Sequence, residues 1–202
     1  MSNSLTGKEL RKLKSLNTPY KIQSYLDNIP YHLADTAFSP RNVLKHETAH
    51  CLEGAIFAAA ALRVNGYAPL ILDLEAKNDT DHVIAVFQQH GGWGAIASSN
   101  YAGCRYRAPV HKTLRELALS YFNDYFNKRR ERTLRNFSTK PVDLSRFDKL
   151  NWMTAEKDVW FIAEHLLYIP HTPILTSAME KNLTRIDQRS FNAGTFGMRV
   201  KK

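Results

Sequence analysis

The chain has 202 residues, which fits a single domain of ordinary size. Hydrophobic residues make up 44% of it and aromatic residues 11%. This excludes disordered, collagen-like and low-complexity proteins, because such chains lack the apolar surface for a core. The net charge of +9 would attract polyanions, but no recognisable nucleic-acid-binding module accompanies it, so we do not expect a nucleic-acid partner.

The cysteine content and the N-terminal sequence indicate the cellular compartment. Two cysteines, Cys51 and Cys104, are too few for a secreted disulfide scaffold of this length, and the first residues contain no apolar signal segment. We therefore expect a cytoplasmic protein with reduced thiols. The longest apolar stretch, residues 55–62, is followed at once by Arg63, so we expect neither a membrane span nor a membrane partner.

The first part of the chain predicts short helices. Leucines recur there at helical spacing: Leu10, Leu13 and Leu16. A second apolar stripe of the same period covers residues 19–29. Ser39 and Pro40 together predict another helix start, because serine caps free backbone N–H groups and proline suits the first helical position.

The middle of the chain is much more apolar. Residues 51–62 are apolar on nearly all sides of a helix, which predicts a buried helix. Three strand-like runs follow at residues 69–74, 82–87 and 93–97, separated by polar and glycine-containing turns. This part of the sequence therefore predicts a buried helix followed by an antiparallel sheet.

The C-terminal part returns to helical spacing over residues 112–127 and 154–167. Residues 191–202 are polar and contain glycine, so we expect a loosely ordered tail. Residues 1–202 together predict one α+β domain, with a core over residues 41–107 and helical flanks. The two flanks are predicted over residues 1–40 and 108–190.

One candidate site is the sequence His46-Glu47-Thr48-Ala49-His50, which matches the H-E-x-x-H zinc pattern. On a helix, two histidines four residues apart can bind one Zn²⁺, and the glutamate can activate a metal-bound water. The pattern fixes only three positions, and no third ligand stands at a fixed offset. The alternative interpretation is that His46 and His50 are ordinary residues at a helix end.

A second candidate site begins one residue later, at Cys51. A cysteine at a helix N-terminus is activated because the helix dipole and free N–H groups stabilise a thiolate. Such a nucleophile needs a base, and the base needs a third group that fixes its orientation. A hairpin turning about Gly91 would place His82, at the start of the second strand, opposite Asn100; a slipped register would place Ser98 there instead.

Each of these residues has an ordinary structural interpretation as well. A cysteine in an apolar helix is usually a small core residue, and a histidine at a strand start usually serves the fold. The ordered combination of cysteine, histidine and asparagine in these positions is what favours a catalytic interpretation.

Several segments also carry a family resemblance: Cys51-Leu52-Glu53-Gly54-Ala55, Leu62-Arg63, Gly66, His82 and Trp93. They resemble the transglutaminase-like superfamily of papain-like thiol proteins, over roughly residues 41–107. The resemblance implies a cysteine-bearing helix packed on an antiparallel sheet that supplies histidine and then aspartate. Asn100 stands where most members have aspartate. Residues 105–109 and 114–122 resemble a bacterial subgroup of that superfamily.

We therefore expect thiol-dependent acyl transfer, or hydrolysis of a peptide or small amide, with no cofactor. Cys51 would attack the acyl carbon, His82 would act as base and then acid, and Asn100 would orient His82. The alternatives are a zinc hydrolase at residues 46–50 and an inactive binding module on the same scaffold. The oligomeric state is left open by the sequence.

Overall fold

The centre of the molecule is an antiparallel β-sheet. A computed structural model describes residues 4–200, and within that range the sheet has seven strands. Their bounds are β1 Leu70–Ala76, β2 His82–Gln89, β3 Gly92–Ile96, β4 Arg107–His111, β5 Leu134–Ser138, β6 Val142–Asp143 and β7 His171–Pro173. The strands lie in the order β4-β3-β2-β1-β5-β7, and β6 also pairs with β1. Strand β1 is therefore the most central.

Short helices surround the sheet. Their bounds are α1 Gly7–Ser15, α2 Pro19–Asp27, α3 Pro40–His46, α4 Cys51–Val64, α5 Leu114–Leu119, α6 Trp160–Leu166, α7 Ser177–Lys181 and α8 Gln188–Gly194, with a 3₁₀ helix at Leu144–Leu150. Thr6, Thr18 and Ser39 cap the first three helices by accepting hydrogen bonds from backbone N–H groups. Each such cap contributes about 0.5–2 kcal/mol.

Helix α4 is buried because it finds apolar partners on several sides. Ile56 packs in one cluster with Ile71 and Val83 of the sheet. Phe57 packs in a second cluster with Ala85 and the N-terminal helices. Truncating either large side chain to alanine would cost about 2–5 kcal/mol, so the position of the helix N-terminus is firmly set by its packing.

The opposite face of the sheet is covered as well. Leu72, Leu74 and Ile84 pack there against Leu117 and Tyr121. A sheet covered on both faces explains why β1 and β2 read as nearly continuous apolar runs rather than as alternating ones.

The structure confirms the mixed α+β class. It also confirms the three short helices predicted in the first part of the chain, the buried helix and the three strands predicted after it. It corrects the helical flank predicted over residues 108–190, which contributes strands β4 to β7 to the sheet. The helix predicted over 112–127 is only α5, because Tyr121 and Tyr125 beyond it fill the sheet face. The helix predicted over 154–167 is only α6.

The C-terminal tail differs in part from the prediction. Residues 191–194 belong to α8 rather than to a loosely ordered segment, and residues 201–202 lie outside the described residues. Among the helices of residues 4–200, none is long and apolar enough to cross a membrane.

Candidate active site

The N-terminus of α4 carries Cys51 into a cleft. Cys51 is the first residue of the helix and His50 is its N-cap. The carboxylate of Glu53 accepts a hydrogen bond from the His50 backbone N–H, at 3.0 Å, and so caps the helix. Gly54 lets the helix approach the chain after β3, since a Cβ on it would lie 2.5 Å from that of Ser98. The Cys51 side chain stays partly exposed.

The cleft in front of Cys51 has a volume of about 190 Å³. Its walls include Tyr31, His82, Asn100 and Tyr125. The predicted nucleophile, the predicted base and the predicted orienting residue therefore line one cavity, although they come from three different segments of the chain.

His82 is held in a defined orientation at the start of β2. Its Nε2 lies 3.0 Å from the backbone carbonyl oxygen of Cys104. Because a carbonyl only accepts hydrogen bonds, Nε2 carries a proton, which leaves Nδ1 as the free ring nitrogen. The rings of Tyr121 and Tyr125 pack edge-on against the imidazole at 6.3 and 6.2 Å between centroids. The side chain thus needs no further residue to fix its tautomer.

The predicted pairing of Asn100 with His82 is corrected by the structure. In the observed register Ala85 pairs with Ile96, one residue away from the predicted register, and β3 ends at Ile96. The Asn100 amide instead makes two hydrogen bonds with the backbone of Arg199, each 2.8 Å long. The other predicted candidate, Ser98, donates to the carbonyl of Ala49 at 3.0 Å. The Cys104 carbonyl takes the orienting position that was predicted for Asn100.

The thiol of Cys51 interacts with two imidazoles, those of His50 and His82. Burial opposes ionisation of the thiol, but hydrogen bonding and charge interactions with both rings lower the pKa of Cys51 well below its ordinary value. The helix N-terminus acts in the same direction. The carbonyl oxygen of Asp81 lies 3.9 Å from Sγ. These interactions therefore favour the thiolate form of Cys51 over that of an ordinary cysteine.

His50 is the second imidazole, and its environment differs from that of His82. Its Nε2 lies 2.7 Å from the carbonyl oxygen of Thr36 and 3.5 Å from the Glu53 carboxylate. Burial favours the neutral ring, but hydrogen bonding to Cys51 and the negative charges of Cys51 and Glu53 raise the pKa of His50 to about 9. At neutral pH His50 is an imidazolium that stabilises the thiolate.

Glu53 holds this part of the site together from inside the fold. Its side chain is fully buried and accepts hydrogen bonds from Thr36 Oγ1 at 2.6 Å and from the Phe38 N–H at 3.0 Å. His32 Nδ1 lies 3.0 Å away. Burial would raise the pKa of this carboxyl, but the charge of His50 and these donors lower it. Glu53 is thus an ionised carboxylate at the base of the site.

Tyr31 lies on the other side of Cys51. A parallel β-bridge with Ala49 places it there, and its hydroxyl interacts with both the backbone N–H and the thiol of Cys51. Burial and the neighbouring thiolate raise the pKa of Tyr31. The hydroxyl consequently keeps its proton and can donate a hydrogen bond beside the Cys51 N–H.

The zinc interpretation of residues 46–50 is not compatible with this backbone. Helix α3 ends at His46, Glu47 has a left-handed φ of 49°, and His50 caps the next helix. The two histidines therefore do not share one helical face. His46 stacks on Phe38 at 5.0 Å, whereas His50 faces Cys51. Residues 4–200 contain no group of three or more histidine, cysteine or acidic side chains arranged to hold a metal ion.

Sequence reasoning missed three features of the site. The sequence suggested for His50 either a zinc ligand or an ordinary helix-end residue, although its position just before a helix-start cysteine is typical of a cap beside the thiol. Tyr31 carries no local motif, because a bridge between distant segments brings it to Cys51. The carbonyl of Cys104 leaves no signal in the sequence, because every residue has a backbone carbonyl.

No protein-family model matches the chain, and a search of curated proteins gives no match. The interpretation of the site therefore depends on its geometry and on the resemblance of its motifs.

Proposed function

We propose that the protein catalyses thiol-dependent acyl chemistry on an amide or peptide, with Cys51 as nucleophile and His82 as acid and base. The observation that carries the proposal is a helix-start cysteine that lines an open cleft together with an oriented histidine. The resemblance of residues 41–107 to the transglutaminase-like superfamily of papain-like proteins supports the same chemistry.

The first half of the reaction forms a thioester. The Cys51 thiolate attacks the carbonyl carbon of the substrate, and the negative charge moves to the carbonyl oxygen. The Cys51 N–H and the Tyr31 hydroxyl, which interact with each other beside the thiol, would turn to the oxyanion and donate hydrogen bonds to it. His82, which takes the Cys51 thiol proton on Nδ1 when the thiolate forms, then gives that proton to the leaving amine, and the C–N bond breaks.

The second half returns the enzyme to its starting state. His82 removes a proton from water or from an amine acceptor. The activated water or amine attacks the thioester carbon, and the C–S bond breaks and releases Cys51 as a thiolate. Water gives hydrolysis and an amine gives acyl transfer, and the same residues serve both outcomes.

His82 suits the acid and base steps better than His50 does. The Nε2 proton of His82 is anchored on a backbone carbonyl, so Nδ1 is free to exchange protons in the cleft. His50 has a pKa raised to about 9 by the thiolate and Glu53, so at neutral pH it holds its proton. It acts as a fixed positive charge.

A trapped acyl-enzyme tests the proposal. The protein is incubated with an activated peptide ester and quenched in acid, and intact-mass and peptide mapping then locate any acyl group. We expect one thioester on Cys51, none in Cys51→Ala, and slow decay of the adduct in water. Acylation elsewhere, or none at all with an intact fold, would favour the inactive scaffold.

A further inference from the structure

The C-terminal segment, residues 195–200, is bound next to the cleft, because its Arg199 bonds to Asn100 and Tyr31, two residues that line the cleft. It follows α8, which is docked beside the site: Phe191 packs on the ring of Phe126 at 5.7 Å, and the Gly194 carbonyl accepts from the Ala102 N–H at 2.8 Å. A Cβ on Gly194 would lie 2.5 Å from the Phe126 ring, so the close contact requires glycine. The segment therefore leaves α8 at a fixed point next to the cleft.

Within this segment, Arg199 is bound mainly through its backbone. The Asn100 side-chain amide donates to the Arg199 carbonyl, and its carbonyl oxygen accepts from the Arg199 N–H, each at 2.8 Å. The guanidinium also donates to the carbonyl oxygen of Tyr31 at 3.2 Å. One side-chain amide thus satisfies both backbone groups of a single residue, as a neighbouring strand does in an antiparallel ladder.

Such recognition is independent of the sequence of the bound segment. The two backbone hydrogen bonds need only an extended residue that has an N–H group. Asn100 and Tyr31 line the same cleft as Cys51 and His82, so a chain held in this way would pass beside the thiolate. The Arg199 guanidinium contacts only the Tyr31 backbone carbonyl there, so the side chain adds little to the selectivity of the clamp.

We propose that Asn100 is a main-chain clamp at the edge of the cleft for an extended polypeptide, and that Arg199 is an intramolecular occupant of that clamp. The inference rests on the proposed function and narrows its substrate class to extended polypeptides that offer a backbone N–H and carbonyl to the clamp. Because the occupant is tethered to the protein, it competes with a free peptide at a high effective concentration.

Binding measurements on the full chain test the clamp separately from catalysis. Arg199→Pro removes the N–H that Asn100 accepts, while Arg199→Ala keeps it and serves as the matched control. The ligand is a fluorescent peptide with the sequence of residues 195–200, and fluorescence anisotropy reports its binding. We expect Arg199→Pro to bind the peptide about tenfold more tightly than wild type. The tail of this variant lacks both the N–H bond to Asn100 and the guanidinium bond to Tyr31, so it competes less well with the peptide. Arg199→Ala loses only the guanidinium bond to Tyr31, so its affinity for the peptide should increase less.

The second arm examines Asn100 itself. Asn100→Ala added to Arg199→Pro should abolish the gain, and so should a proline in place of arginine in the peptide. Asn100→Asp, which accepts an N–H but cannot donate, should bind with intermediate affinity; unchanged melting temperatures would show intact folds. Equal binding by wild type and Arg199→Pro, or a gain that survives Asn100→Ala, would overturn the clamp.

The two proposals fail in different ways. An acyl-enzyme on Cys51 with no peptide binding at Asn100 would remove the clamp and leave the proposed function standing. Peptide binding that depends on Asn100, without acylation of Cys51, would leave a polypeptide-binding groove on an inactive scaffold.

Discussion

The two cysteines lie beside the same cleft, and their surroundings have opposite effects on the thiol. Cys51 begins a helix between two imidazoles, which lower its pKa well below the ordinary value against the effect of burial. Cys104 is 4% exposed, and its thiol donates to the carbonyl oxygen of Asp124 at 3.2 Å. Burial and the charge of Asp124 raise the pKa of Cys104 to about 12. Reactivity is therefore a property of the local field and of access, and not of the cysteine side chain itself.

The largest expected effect is the difference in alkylation between the two thiols. At neutral pH iodoacetamide should modify Cys51 at least about 10³-fold faster than Cys104, because only Cys51 is both ionised and accessible. The rate at Cys51 should fall less steeply as the pH drops from 8 towards 6 than the rate of an ordinary thiol, which loses about tenfold per pH unit there. Quantitative mass spectrometry of both peptides measures the two rates, and Cys51→Ala provides the control. Equal, slow labelling of the two cysteines would show that Cys51 is no more reactive than Cys104.

The second prediction separates the roles of the two imidazoles. His82→Gln should lower the rate of acylation and deacylation about 10²–10⁴-fold, the usual loss when a general acid and base is removed. His50→Gln should act mainly by raising the pKa of Cys51. The loss of rate in this variant should therefore become smaller as the pH rises. Single-turnover kinetics over a pH series distinguish the two variants. If His50→Gln instead showed the larger loss of rate, independent of pH, His50 and not His82 would be the general acid and base.

Glu53→Gln tests the buried support behind the reactive cysteine. All the groups that face this carboxylate are donors, so the glutamine amide would leave its own N–H groups and one donor unpaired. We expect a loss of about 2–4 kcal/mol in the free energy of unfolding. Urea denaturation measures it. Since the pKa of Glu53 is lowered in the folded protein, its stabilisation is present above the ordinary carboxyl pKa and should fade as the pH falls through the lowered value. A variant of wild-type stability would show that the network adds little.

Tyr31→Phe should have the smallest effect. The change removes the hydroxyl that faces the Cys51 N–H and keeps the ring, so the fold should be unaffected. Loss of one of two oxyanion donors should lower the acylation rate about 10²-fold, the low end of the usual loss, while iodoacetamide labelling of Cys51, which forms no oxyanion, should change much less. An equal loss in both reactions would instead assign Tyr31 to the ionisation of the thiol.

The sequence was most informative where local pattern and burial agree. The apolar run at residues 51–62 predicted α4 correctly because burial on all sides leaves little choice of residue. The start positions of α4 and β2 then placed Cys51 and His82 correctly, since each is the first residue of its element.

It was least informative where one residue of register or a distant contact decides the outcome. A shift of one residue turns a side chain to the other sheet face, and that shift separated Asn100 from His82. Residues 134–138 and 171–173 lie in the flank that was predicted to be helical, but they become strands because β5 pairs with β1 and β7 pairs with β5. Tyr31 and the Cys104 carbonyl reach the site through the same kind of long-range contact.

We infer that Cys51 ionises more readily than an ordinary cysteine because two imidazoles face its thiol. The ultraviolet absorbance of the thiolate, followed against pH in wild type and subtracted for Cys51→Ala, gives its pKa directly. We predict a midpoint well below the value of about 8.5 for a free cysteine, displaced upwards in both His50→Gln and His82→Gln. A midpoint at or above that value in the wild-type protein would contradict the account.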